Sequence, residues 1–301
     1  MIFLGGENRP VARGATLRRQ AGAGPAKLTY MLAVDIGNTS AHFALFDRTG
    51  RALEPFRIPT DSLGKRAAWE TLRRKLPTRR VGGAAIASVV PAAGLLLKKT
   101  LERRAGIRTC LLGKDLQVPI VNRYANPRQV GVDRLVNALA VWRQYRKAAV
   151  ILDFGTAITL DVVSEKGEYL GGVIAPGVGI SIEALHAKTA LLPKVGLLHP
   201  RGLIGKDTAE SIRIGCAFGL GGLCDRLIEE LGKTLPRKRL LIATGGYAAF
   251  MARYCRSRID QIDPLLTLKG VMMIYQIYLT NRKIAGKLPV SSESSEFTGA
   301  G

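Results

Sequence analysis

Acidic residues are what this chain has too few of: 23 Asp+Glu stand against 45 Lys+Arg in 301 residues, a formal charge of +22. Aromatic residues make up only 6%, which argues against a protein built around base-stacking platforms. The four cysteines, Cys110, Cys216, Cys224 and Cys255, include no CxxC pair, and the three histidines do not cluster with them. That excludes a zinc site of the usual spacing, and the cysteines read as buried free thiols in a reducing compartment. No apolar run approaches the roughly 18 residues of a membrane-spanning helix. The first thirty residues hold no apolar run of about 7–15 residues, so no secretory signal is expected. No GxGxxG opens a helix after a strand, so a Rossmann site is not supported. The triplet Gly232-Lys233-Thr234 is no P-loop, because position 227 is Leu rather than Gly. Any phosphate must therefore be held by other turns.

Hydrophobic residues make up 47%, ordinary for a globular chain of this size, and the length suits two domains. Residues 1–30, rich in Gly, Ala and Arg, read as a disordered leader or a mis-assigned start, with Met31 opening strand-like sequence. The small, polar stretch at 288–301 reads as a disordered tail. The expected domains are 31–145 and 146–287, and the expected compartment is the cytoplasm. The basic residues lie in short separate clusters such as Arg73-Arg74-Lys75 and Arg237-Lys238-Arg239. With no nucleic-acid motif beside them, they read as solvated surface, and nucleic acid is not the expected partner.

Leu32 to Asp35 is a short apolar run ending in Asp-x-Gly, and Ala41 to Asp47 continues as a second strand, with the bend at Gly37-Asn38. The same grammar returns in Ala148 to Leu152, Asp153-Phe154-Gly155-Thr156 and Ile158 to Val163. This internal repeat points to a duplicated α/β domain with a cleft between the copies. Gly83 to Val90 reads as a further strand and Ala92 to Arg104 as a helix. Pro127 to Lys147 is expected as a helix, with Val132, Leu135, Val136, Leu139 and Trp142 on one buried face. Ser211 to Leu231 is a long helix carrying Gly215, Gly219, Gly221 and Gly222. Each Gly there costs up to about 1 kcal/mol, tolerable where another backbone approaches closely. Leu240 to Ala243 is a strand ending in Thr244-Gly245-Gly246, and Gly270 to Tyr278 is a closing helix.

An Asp at a strand end, as in Asp35-Ile36-Gly37-Asn38-Thr39, can hold a metal-bound water. Gly37 lets the backbone turn its N–H groups toward a phosphate, and Thr39 adds a hydroxyl. One such pentapeptide is common turn chemistry. The second copy at Asp153, with the late Gly pair, is what an actin-like ATPase cleft requires. Gly131-Val132-Asp133-Arg134 lies in the first turns of a helix, where the dipole favours an ionised carboxylate by about 0.3–1 kcal/mol. Such a carboxylate can accept a hydroxyl proton, and Arg134 could clamp a carboxylate or phosphate.

These motifs occur in a fixed order with Tyr124-Ala125-Asn126-Pro127, Gly167-Glu168-Tyr169-Leu170-Gly171-Gly172, Ala175-Pro176-Gly177 and Thr189-Ala190-Leu191-Leu192-Pro193. Together they resemble the type III pantothenate kinases, from about Met31 to Tyr278. The resemblance implies an α/β fold of duplicated actin-like (ribonuclease H-like) domains with ATP between them, and phosphorylation of pantothenate as the first step of coenzyme A synthesis. It implies an ATP site of Asp35, Ile36, Gly37, Asn38, Thr39, Ser40, Ala41, His42, Thr156, Gly245 and Gly246, with Asp35 oriented at Mg²⁺ through water. It makes Asp133 the general base, and it lines the pantothenate pocket with Tyr124, Gly131, Val132, Asp133, Arg134 and, from the neighbouring subunit of a homodimer, Thr189. Asp153 would hold a monovalent cation, K⁺ or NH₄⁺. His42 and Tyr247 depart from the residues usual in the family at their positions, which bears on nucleotide affinity. Two rivals stay open at this level: a kinase for another small alcohol, and a non-catalytic transcription accessory factor or nucleic-acid-binding regulator on the same fold.

Overall fold

The computed structural model describes residues 30–285. The expected leader, apart from Tyr30, and the expected tail lie outside the described residues. Within them the chain runs β1 (Tyr30–Ile36), β2 (Ser40–Phe46), β3 (Ala52–Pro59), α1 (Arg66–Lys75), β4 (Val81–Ser88), α2 (Pro91–Ala105), β5 (Thr109–Leu111), β6 (Val121–Asn122) and α3 (Val132–Tyr145). It continues with β7 (Ala149–Phe154), β8 (Ala157–Val163), β9 (Glu168–Pro176), α4 (Val178–Ala187), α5 (Thr208–Ile214), α6 (Leu220–Gly232), β10 (Leu240–Thr244), α7 (Ala248–Met251), β11 (Gln261–Ile262) and α8 (Leu266–Ala285).

The repeat read from two Asp-x-Gly turns extends to whole sheets. The first sheet has the order β3-β2-β1-β4-β5; the second runs β11-β10-β7-β8-β9-β6. With β7 taken as the copy of β1, the second sheet repeats the first strand for strand, and β6 is added beside β9. In both copies the hairpin partners are antiparallel (β1 with β2, β7 with β8) and the crossover partners parallel (β1 with β4, β7 with β10). The central strands are apolar on both faces, Leu32–Val34 and Ala149–Leu152 being fully buried, as strands covered on both sides must be.

The two halves interlock. β6 precedes α3 in the chain yet pairs with β9 of the second sheet. The closing helix α8 follows the second sheet yet packs on β1, β2 and β4, and α3 lies against α8 while also touching β4, β7 and β8. One apolar cluster accordingly joins Ala33, Phe46 and Ala85 of the first sheet to Val136 and Leu139 of α3 and to Val271 and Tyr275 of α8. α3 thus touches both sheets, and it carries the residues around Asp133.

Three helices differ from expectation: α8 runs Leu266–Ala285, beyond both ends of the expected 270–278. α3 begins at Val132 rather than Pro127; Pro127–Gln129 forms a separate 3-10 turn, and extended Val130 and Gly131 precede the helix. The expected helix at 211–231 is α5 and α6 joined through a π-helical turn at Gly215–Gly219. Of its four glycines only Gly221 serves a close approach: a Cβ there would lie 2.3 Å from the Tyr254 carbonyl oxygen, whereas Gly215, Gly219 and Gly222 face open space. Among the described residues no helix is long and apolar enough to cross a membrane.

Candidate active site

The first turn leaves β1 at Asp35 and closes through Gly37 N–H donating to Ser40 O at 3.0 Å. Thr60 Oγ1 braces it from outside by donating to Gly37 O at 2.8 Å. Ile36 and Ala41 are fully buried, so only their backbones can face a nucleotide, whereas Asn38 and Thr39 are exposed. The second turn is built alike, with Gly155 N–H donating to Ala157 O at 3.1 Å. The tips meet: Thr39 Oγ1 and Thr156 Oγ1 are 3.2 Å apart, in hydrogen-bonding contact between the two halves. The third turn closes in from β10. Gly245 has φ +91°, and a Cβ there would stand 2.4 Å from Asp153 Oδ1; a backbone that close and that twisted requires glycine. Tyr247 N–H then donates to Phe154 O at 3.0 Å, fixing the third turn on the second. His42 sits opposite Asp35 across the β1–β2 ladder and shares a 2.9 Å hydrogen bond with Ser40 Oγ. Burial and the nearby Arg57 push its pKa down, so the ring is held neutral.

The charges of Asp35, Asp133 and Asp153 act on one another. The Asp35 carboxyl is pushed well above the ordinary range by burial and by the charges of Asp133 and Asp153. Asp153 is pushed up to about 7 by burial and by Asp133 and Asp161, partly offset by a hydrogen bond from Asn137. Asp133 is also raised by burial, which outweighs its 2.9 Å bond from Arg134 N–H and the Arg134 charge. The later start of α3 makes Asp133 the second residue of the helix, closer to the positive end of the dipole than the expected helix would have placed it.

Beside Asp133, Arg134 turns into the protein. It is 7% exposed, and its Nε donates to Asp161 Oδ1 at 2.7 Å. Nη2 is equally close to that oxygen but off the line of a hydrogen bond, and has no other partner among the described residues. Tyr169 Oη and Thr159 Oγ1 also donate to the fully buried Asp161, each at 2.9 Å. Tyr124 packs near Tyr169, with ring centroids 6.4 Å apart, and over Gly171. Thr189 is the outlier. Just past α4, its Oγ1 donates back to Leu185 O at 2.6 Å, and it lines an apolar cavity of about 760 Å³ with Ser181, Leu192, Ile212 and Cys216. None of the three carboxylates lines that cavity.

The sequence reading missed Asn137 and Asp161. Asn137 lies one helical turn after Asp133, is 1% exposed, and donates Nδ2 to Asp153 Oδ2 at 3.3 Å. Its Oδ1 has no partner among the described residues. The available signals were the i, i+4 spacing from Asp133 and a lone carboxylate inside the apolar run Ile158 to Val163.

Relatives identify the family. The pattern of the type III pantothenate kinase family matches residues 31–230. The chain belongs to the type III pantothenate kinase family. It is 36% identical over 253 residues to the type III pantothenate kinase of Moorella thermoacetica, covering 82% of this chain and 98% of that protein. To the enzyme of the same name from Myxococcus xanthus it is 37% identical over 255 residues, covering 81% and 97%. Among solved structures it resembles the activator of the 2-hydroxyisocaproyl-CoA dehydratase from Clostridium difficile, with a TM-score of 0.51 at 13% identity, over 84% of this chain and 97% of that one. A candidate 2-dehydro-3-deoxygalactonokinase from Sinorhizobium meliloti gives a TM-score of 0.53 at 11% identity, over 83% and 99%. At those identities the likeness concerns the fold alone, which is the duplicated actin-like architecture of the two sheets.

Proposed function

We propose that this chain transfers the γ-phosphate of ATP to the primary hydroxyl of pantothenate, giving 4′-phosphopantothenate for coenzyme A synthesis. The observation that carries the reading is that the two Asp-x-Gly turns meet, Thr39 Oγ1 lying 3.2 Å from Thr156 Oγ1, while Asn137 on the helix of Asp133 is bonded to Asp153: the acid that would serve as base stands within electrostatic reach of the acids of both turns. Phosphoryl transfer depends mainly on positioning and on neutralising charge. The backbones of the Asp35–His42 and Asp153–Thr156 turns and the Thr39 and Thr156 hydroxyls are suited to cradle the phosphates, and Gly245 and Gly246 to lie against the nucleoside. Asp133 is suited to accept the hydroxyl proton, its raised pKa making it a stronger base than a surface carboxylate.

Cations suit this group of acids because its carboxylates repel one another. Among the described residues no three His, Cys, Asp or Glu side chains converge to hold a metal alone. That suits Mg²⁺, which keeps waters and takes phosphate oxygens beside one or two carboxylates. Asp35 would hold it through water and Asp153 would hold K⁺ or NH₄⁺; bound cations supply charge neutralisation at the phosphates. Tyr124 and Gly131–Arg134 are suited to frame pantothenate. The Asp161 pair limits Arg134 to offering Nη2 rather than a free guanidinium fork. Thr189, tied to α4 away from these residues, is suited to complete the pocket of a second subunit in a homodimer.

The test is an ADP-release assay with pantothenate, ATP, Mg²⁺ and K⁺, run against a panel of sugars and other small alcohols and repeated in Na⁺ alone. Turnover is expected with pantothenate and K⁺. Turnover with a sugar and none with pantothenate would overturn the substrate, and indifference to the cation would remove it from Asp153.

A further inference from the structure

α6 and the segment after α7 are fastened together over one helical turn. Gly221 admits the Tyr254 backbone, and the Asp225 carboxylate accepts from Arg256 N–H and Ser257 N–H, each at 2.8 Å. Between these fastenings lie Cys224 and Cys255. Cys224 is fully buried, Cys255 is half-buried, and both belong to the apolar cluster beneath α6. Cys110 and Cys216 are buried and lie outside these fastenings.

We propose that Cys224 and Cys255 are a redox-active dithiol, which a peroxide converts into an intramolecular disulfide that locks α6 to the segment following the third nucleotide turn. Exposure orders the chemistry: Cys255 is half-buried and within reach of a peroxide, whereas Cys224 is fully buried. The neighbouring Cys224 pulls the Cys255 thiol down, and the thiolate is the nucleophile. Cys255 sulfur attacks the peroxide: an S–O bond forms, the O–O bond breaks, and the departing oxygen leaves as water after protonation. Cys224 sulfur then attacks the Cys255 sulfenic acid: the S–S bond forms, the S–O bond breaks, and a second water leaves with the Cys224 proton. Two thiols are oxidised by two electrons and one peroxide is reduced to two waters.

The disulfide bears on nucleotide binding through the backbone. Tyr254 N–H donates to Met251 O at 2.9 Å, Met251 N–H to Tyr247 O at 2.8 Å, and Tyr247 N–H to Phe154 O at 3.0 Å. Phe154 belongs to the second phosphate turn, and Tyr247 follows Gly246. Bonded sulfurs sit at about 2.05 Å, so oxidation draws Cys255 toward α6 and pulls on this chain of bonds. Tyr124 and Gly131–Arg134 stand on other elements, so oxidation is expected to raise the KM for ATP several-fold and leave the KM for pantothenate unchanged.

The test treats the reduced full-length enzyme with equimolar hydrogen peroxide, then maps tryptic peptides by mass spectrometry and measures both KM values. The expected product joins the peptide Ile214–Arg226 to Tyr254–Arg256 through Cys224, loses two of the four titratable thiols, and reverts with dithiothreitol. Cys255→Ser and, separately, Cys224→Ala should show normal ATP KM that peroxide no longer moves; either variant suffices if the other folds poorly. Four thiols surviving treatment, or a bridge through Cys216, would overturn the site. An unchanged ATP KM in the disulfide form, or an equal rise in Cys255→Ser, would overturn its link to the nucleotide turn.

Discussion

Asn137 Nδ2 donates to Asp153 Oδ2 at 3.3 Å, tying the helix that carries Asp133 to the strand that leads into the second Asp-x-Gly turn. This is a side-chain link from α3 to the second turn, and it acts on chemistry as well as on position, because it holds the Asp153 pKa below where burial alone would put it. Asn137→Ala is expected to lower kcat and move the acid limb of the pH–rate profile to higher pH. The stability loss should be only about 1 kcal/mol: the lost bond is long, and the unpartnered Oδ1 leaves with it. Urea unfolding measures the second quantity. A kcat loss with an unmoved acid limb would reduce Asn137 to packing.

The three coupled carboxylates make the ligand-free protein sensitive to pH in an unusual direction. Asp153 is raised from 3.8 to about 7. A carboxyl raised on folding binds more protons in the native state than in the unfolded one between those two values. Its contribution to stability therefore falls as pH rises through that window. His42, whose pKa is lowered, works the other way below its ordinary value, so the wild type alone is an ambiguous reporter. Asp153→Asn removes the titration. The variant should gain stability relative to wild type as pH rises from about 4 to about 7, and Mg²⁺ with K⁺ should narrow the gap by neutralising the wild-type site. A pH-independent difference in urea midpoint would count against the raised value.

What could be read in the sequence was whatever repeats or is local. The Asp35 and Asp153 turns were visible because each follows an apolar strand and precedes another, and the sheets repeat that pairing. β3 escaped notice because it is an edge strand with Glu54, Pro55 and Arg57 exposed, so burial imposes no alternation on it. The start of α3 was misplaced because the apolar spacing begins near Pro127, while the helix waits for the extended Gly131. Asp161 could not be interpreted at all without Arg134, which reaches it from another element; neither residue's neighbours in sequence announce the pair. The Cys224–Cys255 contact is of the same kind.

That buried pair yields a third prediction. The Arg134 and Asp161 side chains are 9% and 0% exposed, and Asp161→Asn would leave a buried guanidinium without a counter-charge, at a cost of about 3–5 kcal/mol. The double variant Arg134→Met/Asp161→Leu should recover most of that loss, because an apolar pair has no charge to desolvate. It should fold and bind ATP yet lose affinity for pantothenate if Arg134 Nη2 serves the substrate. Full affinity in the double variant would confine the pair to structure.

Asp133→Asn keeps the shape of the first turn of α3 and removes the proposed proton acceptor. Loss of a general base typically costs about 10²–10⁴ in rate, so kcat should fall by that order while calorimetry still detects ATP binding. Near-normal turnover would take the role of base away from Asp133.

The proposed role of the Gly245-Gly246 turn can be tested with these two neighbouring glycines, which the structure distinguishes. At Gly245 an alanine would meet both a φ of +91°, which side chains rarely adopt, and the Asp153 carboxylate at 2.4 Å. Gly245→Ala is therefore expected to destabilise the protein by about 1–3 kcal/mol and to lose activity by displacing Asp153. At Gly246 a Cβ meets nothing within 4 Å and the backbone lies outside the left-handed region, so Gly246→Ala should fold like the wild type. If the nucleoside lies against this turn, the added methyl group occupies space that ATP needs, and the KM for ATP should rise with the pantothenate KM and the unfolding midpoint unchanged. A Gly246→Ala enzyme with normal KM for ATP would move the nucleoside away from Gly246, even if Gly245→Ala proved as damaging as its geometry requires.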